Sequence, residues 1–119
     1  MMDQEVALYQ LYAFYAIQAI EDFPDADGIT IMQAASGRVH CFPIHLEQNF
    51  VKPIISELQD TNDTHIACLI HVWHNHSLDL PAYDIRSALI ELHPENKDAK
   101  LMLFGEKSFS IVSLEKTFH

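Results

Sequence analysis

The chain has 119 residues, of which 49% are hydrophobic and 20% charged. A chain of this length and composition folds as one globular domain, so we expect residues 1–119 to form a single unit with its own core. The formal net charge of −10, from 17 acidic against 7 basic residues, argues against nucleic-acid binding, which needs a basic surface to meet phosphates. We expect a protein or peptide partner and no membrane contact, because charged or polar residues interrupt every apolar run before it reaches the length of a membrane span.

The N-terminal segment and the two cysteines favour a cytoplasmic location. Residues 1–10 (MMDQEVALYQ) carry acidic side chains where a secretory signal would be basic, so no export signal is predicted. Cys41 and Cys68 lie in apolar, strand-like segments without the spacing of a metal or redox motif. Such cysteines are typical of small core residues in a reducing compartment.

The first half of the chain predicts a helix, a hairpin and a second helix. Gln4–Ile20 contains no Gly or Pro and is apolar almost all round, so we expect a helix that is buried on more than one side or that meets a partner. Two β-like runs, Ile29–Gln33 and Val39–Ile44, are separated by the turn pair Ser36-Gly37. Asn49 then caps a helix that runs to about Gln59.

The second half predicts a central strand, a third helix and two final strands. His65–Trp73 is apolar on both alternating faces, which is typical of a strand covered on each side. A helix is expected from about Pro81 to His93, followed by strands at Leu101–Phe104 and Phe109–Leu114. The order α-β-β-α-β-α-β-β predicts an α/β (α+β) domain of three layers, with a mixed β-sheet flanked by helices.

The segment from His71 to His76 (HVWHNH) carries the densest chemical signal in the sequence. In an extended strand, side chains two residues apart point the same way, roughly 6–7 Å apart. His74 and His76 would then share a face and bind one ion, whereas His71 would point to the other face. Imidazole suits zinc, and a third ligand must come from elsewhere. Asp84, where the next helix begins, is the nearest plausible carboxylate, and Asp79 is the alternative. The remaining histidines are scattered and need no metal explanation.

The positions of these residues along the sequence resemble those of the JAMM/MPN family of zinc-dependent peptidases and isopeptidases. In that family a helix leads into a Pro-Glu-x-x-Gly segment that holds the general base. A hairpin, a helix and a central strand ending in His-x-His follow, and the third ligand, an Asp, opens the next helix. Here Phe23–Gly28 (FPDADG), His74-Asn75-His76 and Asp84 stand at the corresponding positions. The resemblance extends from about residue 5 to residue 114.

The resemblance implies an MPN-like fold and hydrolysis of a peptide or isopeptide bond in a small protein substrate. Zinc would be the cofactor, held by His74, His76 and Asp84. Asp25, with Glu21 as the alternative, would take the proton of the zinc-bound water, and Ser77 would replace the family's oxyanion-stabilising serine. The family has Glu where this chain has Asp25, and Ser where it has Pro81, so a degenerate member is also implied.

Two other functions stay open at this point. The first is a catalytically inactive MPN-like domain that acts as a binding module, because the departures fall on catalytic positions. The second is an acidic inhibitor or immunity-type protein that binds a basic partner. Only the small size of the chain and its net charge of −10 support this hypothesis.

Overall fold

The computed structural model describes residue 8 and residues 10–75, 77–104 and 108–118, and in this part of the chain the predicted order of elements is confirmed. The strands are β1 (Gly28–Ala34), β2 (Val39–Ile44), β3 (Ile66–Trp73), β4 (Lys100–Phe104) and β5 (Phe109–Ser113). The helices are α1 (Ile17–Asp22), α2 (Val51–Asp60) and α3 (Tyr83–Leu92), with a π-helical stretch at Leu11–Ala16 and 3-10 helices at Pro94–Asp98 and Leu114–Thr117.

The five strands form one mixed sheet in the order β2-β1-β3-β4-β5. β1 pairs antiparallel with both β2 and β3, so the hairpin partner and the central strand lie on its two sides. β3 and β4 are parallel, and α3 makes the crossover between them. β5 then pairs antiparallel with β4. The α+β class, with a mixed sheet and three helices, is thus as predicted.

Helices cover both faces of the sheet because its strands alternate between two apolar sets. On one face, Ile31, Ile70 and Met102 pack against residues of the N-terminal helical segment such as Leu11 and Ala19. On the other face the sheet packs against α2 and α3. The buried side chains of this second core include Met32, Leu69 and Leu101 from the sheet and Ile54, Leu58, Ile85 and Leu89 from the helices. As predicted, β3 is buried on both faces.

The N-terminal helix differs from the prediction. Within the described residues it runs through Leu11–Ala16 as a π-helix and ends as α1 at Asp22, two residues beyond the predicted end. Among the side chains whose burial is described, Leu11, Ala16 and Ala19 are buried, whereas Tyr15 is 44% and Ile17 50% exposed. The expectation that this helix is buried on more than one side or meets a partner stays a prediction. No helix in the described part of the chain is both long and apolar enough to cross a membrane.

Asp63 links two turns at the end of the sheet where the β1–β2 hairpin closes. Its carboxylate accepts hydrogen bonds from Ser36 Oγ (2.8 Å) and from His40 Nε2 (2.7 Å), and Arg38 lies 3.2 Å away. The hydrogen bond from His40 is the main reason why the pKa of Asp63 is lowered. The hairpin turn is thereby held against the loop between α2 and β3.

Asn96 connects three elements with its buried amide. Its Oδ1 accepts from the backbone N–H of Ile66 (2.8 Å), where β3 begins. Its Nδ2 donates to the carbonyl oxygens of Thr64 (2.9 Å) and Leu89 (2.7 Å). Because Asn96 is fully buried, no water replaces these partners if the side chain is removed.

We expect Asn96→Ala to lower the free energy of unfolding by about 2–4 kcal/mol, since the Ile66 N–H and the Leu89 carbonyl would lose a buried partner. Urea unfolding followed by circular dichroism measures the change. Lys97→Ala, at an exposed position of the same 3-10 helix, is the control and should alter the free energy by less than about 0.5 kcal/mol. Equal stability of the two variants would contradict the bridging role of Asn96.

Candidate functional site

Three strand ends meet at one end of the sheet because β1 runs antiparallel to both its neighbours. Gly28, the first residue of β1, is paired with Ile44 at the end of β2 and with Trp73 at the end of β3. The loops that extend from these strands, residues 23–27, 45–50 and 74–82, therefore lie together, and we call them the loop end. α3 begins directly after the third of these loops.

Asp27 joins these loops through its backbone and its side chain. Its carboxylate Oδ2 accepts from the backbone N–H of Leu46 at 2.7 Å. Its carbonyl oxygen accepts from the backbone N–H of His74 at 2.9 Å, and its own N–H donates to the carbonyl of Ile44 at 2.8 Å. These three bonds fix the relative position of the loop before β1, the loop after β2 and the turn after β3.

Of the predicted metal ligands and catalytic residues, the structure describes Asp25, His74, Ser77 and Asp84. They lie at or beside the loop end, but His74 is not in the expected extended conformation. β3 ends at Trp73, and His74 and Asn75 form a turn that is closed by Trp73 N–H donating to the Ser77 carbonyl (2.9 Å). The alternation of side chains along a strand therefore does not extend to His74. Asn75 Oδ1 accepts from the backbone N–H of Ser77 at 3.0 Å. Asp25, His74, Ser77 and Asp84 are all exposed, and Asp84 lies in the first turn of α3 as predicted.

His76 lies outside the described residues, so zinc binding by His74, His76 and Asp84 stays a prediction. Among the residues that the structure does describe, no group of three or more His, Cys, Asp or Glu side chains converges as metal ligands would. Asp79, the alternative third ligand, accepts the backbone N–H of Leu80 through Oδ1 (2.7 Å).

Elemental analysis of the purified protein after zinc supplementation tests the predicted His pair. If His74 and His76 bind zinc, the wild type should carry about one equivalent, and the His74→Ala/His76→Ala double variant should lose it, because a two-ligand loss removes most of a site's affinity. Ser77→Ala, in the same loop, is the control and should keep the metal. Less than about a tenth of an equivalent in the wild type would reject the site.

A cavity of about 450 Å³ opens at the loop end, and sequence reasoning did not find it. Its walls are Asp25, Asp27, His45, Leu46, Glu47 and Gln48. His45 and Gln48 also line a second, more apolar cavity of about 290 Å³. The other residues of the second cavity are Phe42, Pro43, Asn49, Phe50, Pro53 and Ile54. The two cavities share His45 and Gln48 in their walls, and we call them together the bipartite pocket. Carboxylates line the first cavity, and aromatic rings line the second.

The buried ring of His71 lies on the sheet face that α2 and α3 cover. Its Nδ1 is 2.7 Å from Thr30 Oγ1, whereas Nε2 has no hydrogen-bond partner among the described residues. Burial lowers the pKa of His71 to about 4, against a smaller raising effect of Asp79, so the ring is neutral at pH 7. Gly28 leaves room for it, because a Cβ there would stand 2.7 Å from Nε2.

The lowered pKa of His71 predicts a pH dependence of stability. Because the folded-state pKa of about 4 lies below the ordinary value of 6.5, the stabilisation is fully present above pH 6.5 and is lost as the pH falls towards 4. Between pH 7.5 and pH 5 we expect the wild type to lose about 2 kcal/mol more than His71→Leu. Urea unfolding at both pH values measures this difference. An equal loss in the two proteins would show that His71 titrates alike in the folded and unfolded chain.

Comparison with solved structures shows that this fold is similar to that of a cytidine deaminase. A crystal structure of a mutant cytidine deaminase from Mycobacterium tuberculosis matches with a TM-score of 0.60 and 16% sequence identity, over 98% of this chain and 95% of that one. No protein-family model matches the chain, and no curated protein matches its sequence. At this level of identity the likeness establishes the fold and not the activity.

The predicted membership of the JAMM/MPN family is therefore wrong, and so is the predicted peptidase or isopeptidase function. The resemblance implied that Asp25 acts as the general base and that Ser77 stabilises the oxyanion, and without the resemblance no observation supports these two roles. The alternative of an inactive MPN-like module is overturned by the same match, which also lends no support to an acidic inhibitor. The interpretation failed because it depended on the order of elements, which is compatible with a deaminase fold, and on the assumption that β3 continues past Trp73, where His74 and Asn75 form a turn.

Zinc is a common cofactor of deaminases, which hold it with a His/Cys/Cys set in the pattern H-x-E … P-C-x-x-C. This chain has His45-Leu46-Glu47 after β2, which fits the first half of the pattern. Pro81, before α3, fits the start of the second half. Ala82 and Ile85 then stand where the two cysteines would be, and neither has a donor atom for a metal. The residues present thus do not supply a deaminase zinc set.

Proposed function

We propose that this chain is a deaminase-fold protein that binds a small, non-phosphorylated molecule of the nucleoside or nucleobase class in its bipartite pocket and does not deaminate it. The observation that carries this proposal is the start of α3, where Ala82 and Ile85 replace both metal-binding cysteines of the deaminase pattern. The fold and the pocket are present although these two cysteines are absent. Ligand binding is therefore the function that the residues lining the pocket support.

The size and the walls of the pocket suit a ligand of this class. A volume of about 450 Å³, with about 290 Å³ adjoining it, lies in the usual range for small-molecule sites. Phe42 and Phe50 contribute aromatic rings, against which a planar base can pack. The Gln48 amide offers both donors and an acceptor for the polar edge of a base. His45 lies between the two parts of the pocket and can contact both ends of one ligand.

The charge of the pocket favours a nucleoside over a nucleotide. Asp25, Asp27 and Glu47 line the larger cavity, and its described lining contains no Lys or Arg. A phosphate group would be repelled by these carboxylates and by the net charge of −10 on the whole chain. A neutral or cationic ligand meets no such barrier.

We also propose that the protein is cytoplasmic, as the sequence predicts. Both cysteines are free, and burial raises the pKa of the Cys68 thiol to about 11. An unreactive buried thiol and an unpaired second cysteine suit a reducing compartment.

Calorimetric titration with cytidine, uridine and cytidine monophosphate tests the binding. A nucleoside should bind with a Kd on the order of 0.2 mM, which corresponds to roughly −0.3 kcal/mol per non-hydrogen atom, and the monophosphate should bind at least about threefold more weakly. Phe50→Ala should weaken nucleoside binding because it removes an aromatic wall. Glu47→Gln should narrow the gap between nucleoside and monophosphate because it removes one repelling carboxylate.

Glu57→Gln, an exposed change on α2 outside the pocket, is the matched control and should leave both affinities unchanged. Absence of saturable binding by any nucleoside up to several times the expected Kd would refute the ligand class. Conversion of cytidine to uridine by the zinc-supplemented protein, above the rate in buffer, would refute the non-deaminating part of the proposal.

A further inference from the structure

A separate cavity of about 350 Å³ lies on the outer side of α3. Its walls are Tyr83, Ser87, Ile90, Glu91 and Phe118. Spacings of three and four residues place the helical members of this set on one side of α3, whereas Ile85 and Leu89 on the other side are buried against the sheet. None of the wall residues lines the bipartite pocket, so this cavity, which we call the α3 cavity, is a second and independent site.

Two aromatic rings stand at a steep angle to each other in the walls of the α3 cavity. The ring centroids of Tyr83 and Phe118 are 5.5 Å apart, and the ring planes enclose an angle of 73°. Tyr83 is 61% exposed, so most of its side chain is open to a ligand. The face of an aromatic ring carries negative electrostatic potential and attracts cations. Two rings that form a corner can therefore contact one cation together.

The chain itself shows that this aromatic pair attracts a cation. The guanidinium carbon of Arg86 lies 5.7 Å from the Tyr83 centroid and 5.3 Å from the Phe118 centroid, within the range of cation–π contacts. Arg86 also donates from Nε to the carbonyl of Pro81 and from Nη1 to the carbonyl of Thr117, both at 2.9 Å. These bonds fix the beginning of α3 against the last 3-10 helix and hold the two rings together. Arg86 does not line the α3 cavity, so the rings meet the cavity with surface that the guanidinium leaves uncovered.

The charge of the α3 cavity is also suited to a cation. Glu91 contributes an exposed carboxylate, which forms no ion pair with any residue that the structure describes. The nearby Arg86 does not neutralise it, because its guanidinium donates to two carbonyl oxygens instead. No Lys or Arg stands in the described lining, and the net charge of −10 on the whole chain raises the local concentration of cations.

We propose that the α3 cavity binds a small organic cation that carries a methylated ammonium group. Such a group spreads its charge over apolar methyls, which can pack against the two rings and against Ile90. A bare ammonium is more strongly hydrated and gains less from an aromatic wall. The volume of about 350 Å³ lies in the range of small-molecule sites. The inference does not depend on the proposed nucleoside ligand, because the two sites share no residue.

Titration of the full chain with choline, followed by nuclear magnetic resonance, tests the proposal. The matched probe is 3,3-dimethylbutan-1-ol, which has the shape of choline without its charge. Choline should bind with a Kd on the order of 1 mM, and the neutral analogue at least about fivefold more weakly, because it lacks the attraction to the rings and to Glu91. The methyl signal of bound choline should move upfield, since the methyl groups would lie over ring faces.

Variants of the wall residues separate the aromatic contribution from the carboxylate. Tyr83→Leu and Phe118→Leu should each weaken choline binding about threefold or more, whereas Tyr83→Phe should keep it, because the ring is retained. Tyr83 is exposed, so its replacement leaves the core intact. Glu91→Gln should weaken the binding of choline and leave that of the neutral analogue unchanged. Glu57→Gln, an exposed change on α2, is the control and should alter neither affinity.

Three results would overturn the proposal. The first is the absence of saturable choline binding up to about 20 mM, well above the expected Kd. The second is equal affinity for choline and the neutral analogue, which would show an apolar cavity without recognition of charge. The third is binding of a trimethyllysine peptide by a chain that does not bind choline, which would assign the α3 cavity to a protein partner instead.

Discussion

The antiparallel pairing of β1 with both β2 and β3 is the constraint on which the candidate site depends. It sets Gly28 between Ile44 and Trp73, and so the loops from three strands extend from the same end of the sheet. Asp27 then holds these loops together with three hydrogen bonds of 2.7–2.9 Å. A parallel β1 would place its loop at the opposite end, and neither the pocket nor the contact between Gly28 and His71 would exist.

The likeness to a deaminase fold does not by itself carry deaminase chemistry to this chain. The fold is maintained by two apolar cores, one on each face of the sheet. The chemistry of zinc deaminases depends on a few donor atoms, and two of their positions at the start of α3 hold Ala82 and Ile85. Ile85 is 1% exposed and belongs to the core beneath the helix. If the pattern is counted from Pro81, the position of its second cysteine contributes to packing in this chain, and function resides in a site placed on a fold.

Local patterns predicted the elements well, and they failed where a turn interrupted them. Val39–Ile44 was predicted as a strand with the observed bounds, and β3 was predicted to within one residue. The face shared by His74 and His76 was inferred by extending β3 past Trp73. The structure turns there, because the Trp73 N–H donates to Ser77 rather than to a neighbouring strand. A tripeptide cannot reveal such a turn, so the geometry of the metal pair could not be derived from spacing.

The sequence by itself determined the α+β class, the order of the elements and the central place of β3. Apolar residues repeat every two positions in strands and at helical spacing in helices, and these local patterns can be recognised without knowing the tertiary contacts. Only the tertiary structure decided that the fold is that of a deaminase, and that Asp25, Asp27 and the segment from His45 to Gln48 line one pocket. Those residues come from separate loops, and their proximity depends on strand pairing over long sequence distances. No pattern within a short window carries that information, since pairing partners are selected by the packing of the whole sheet.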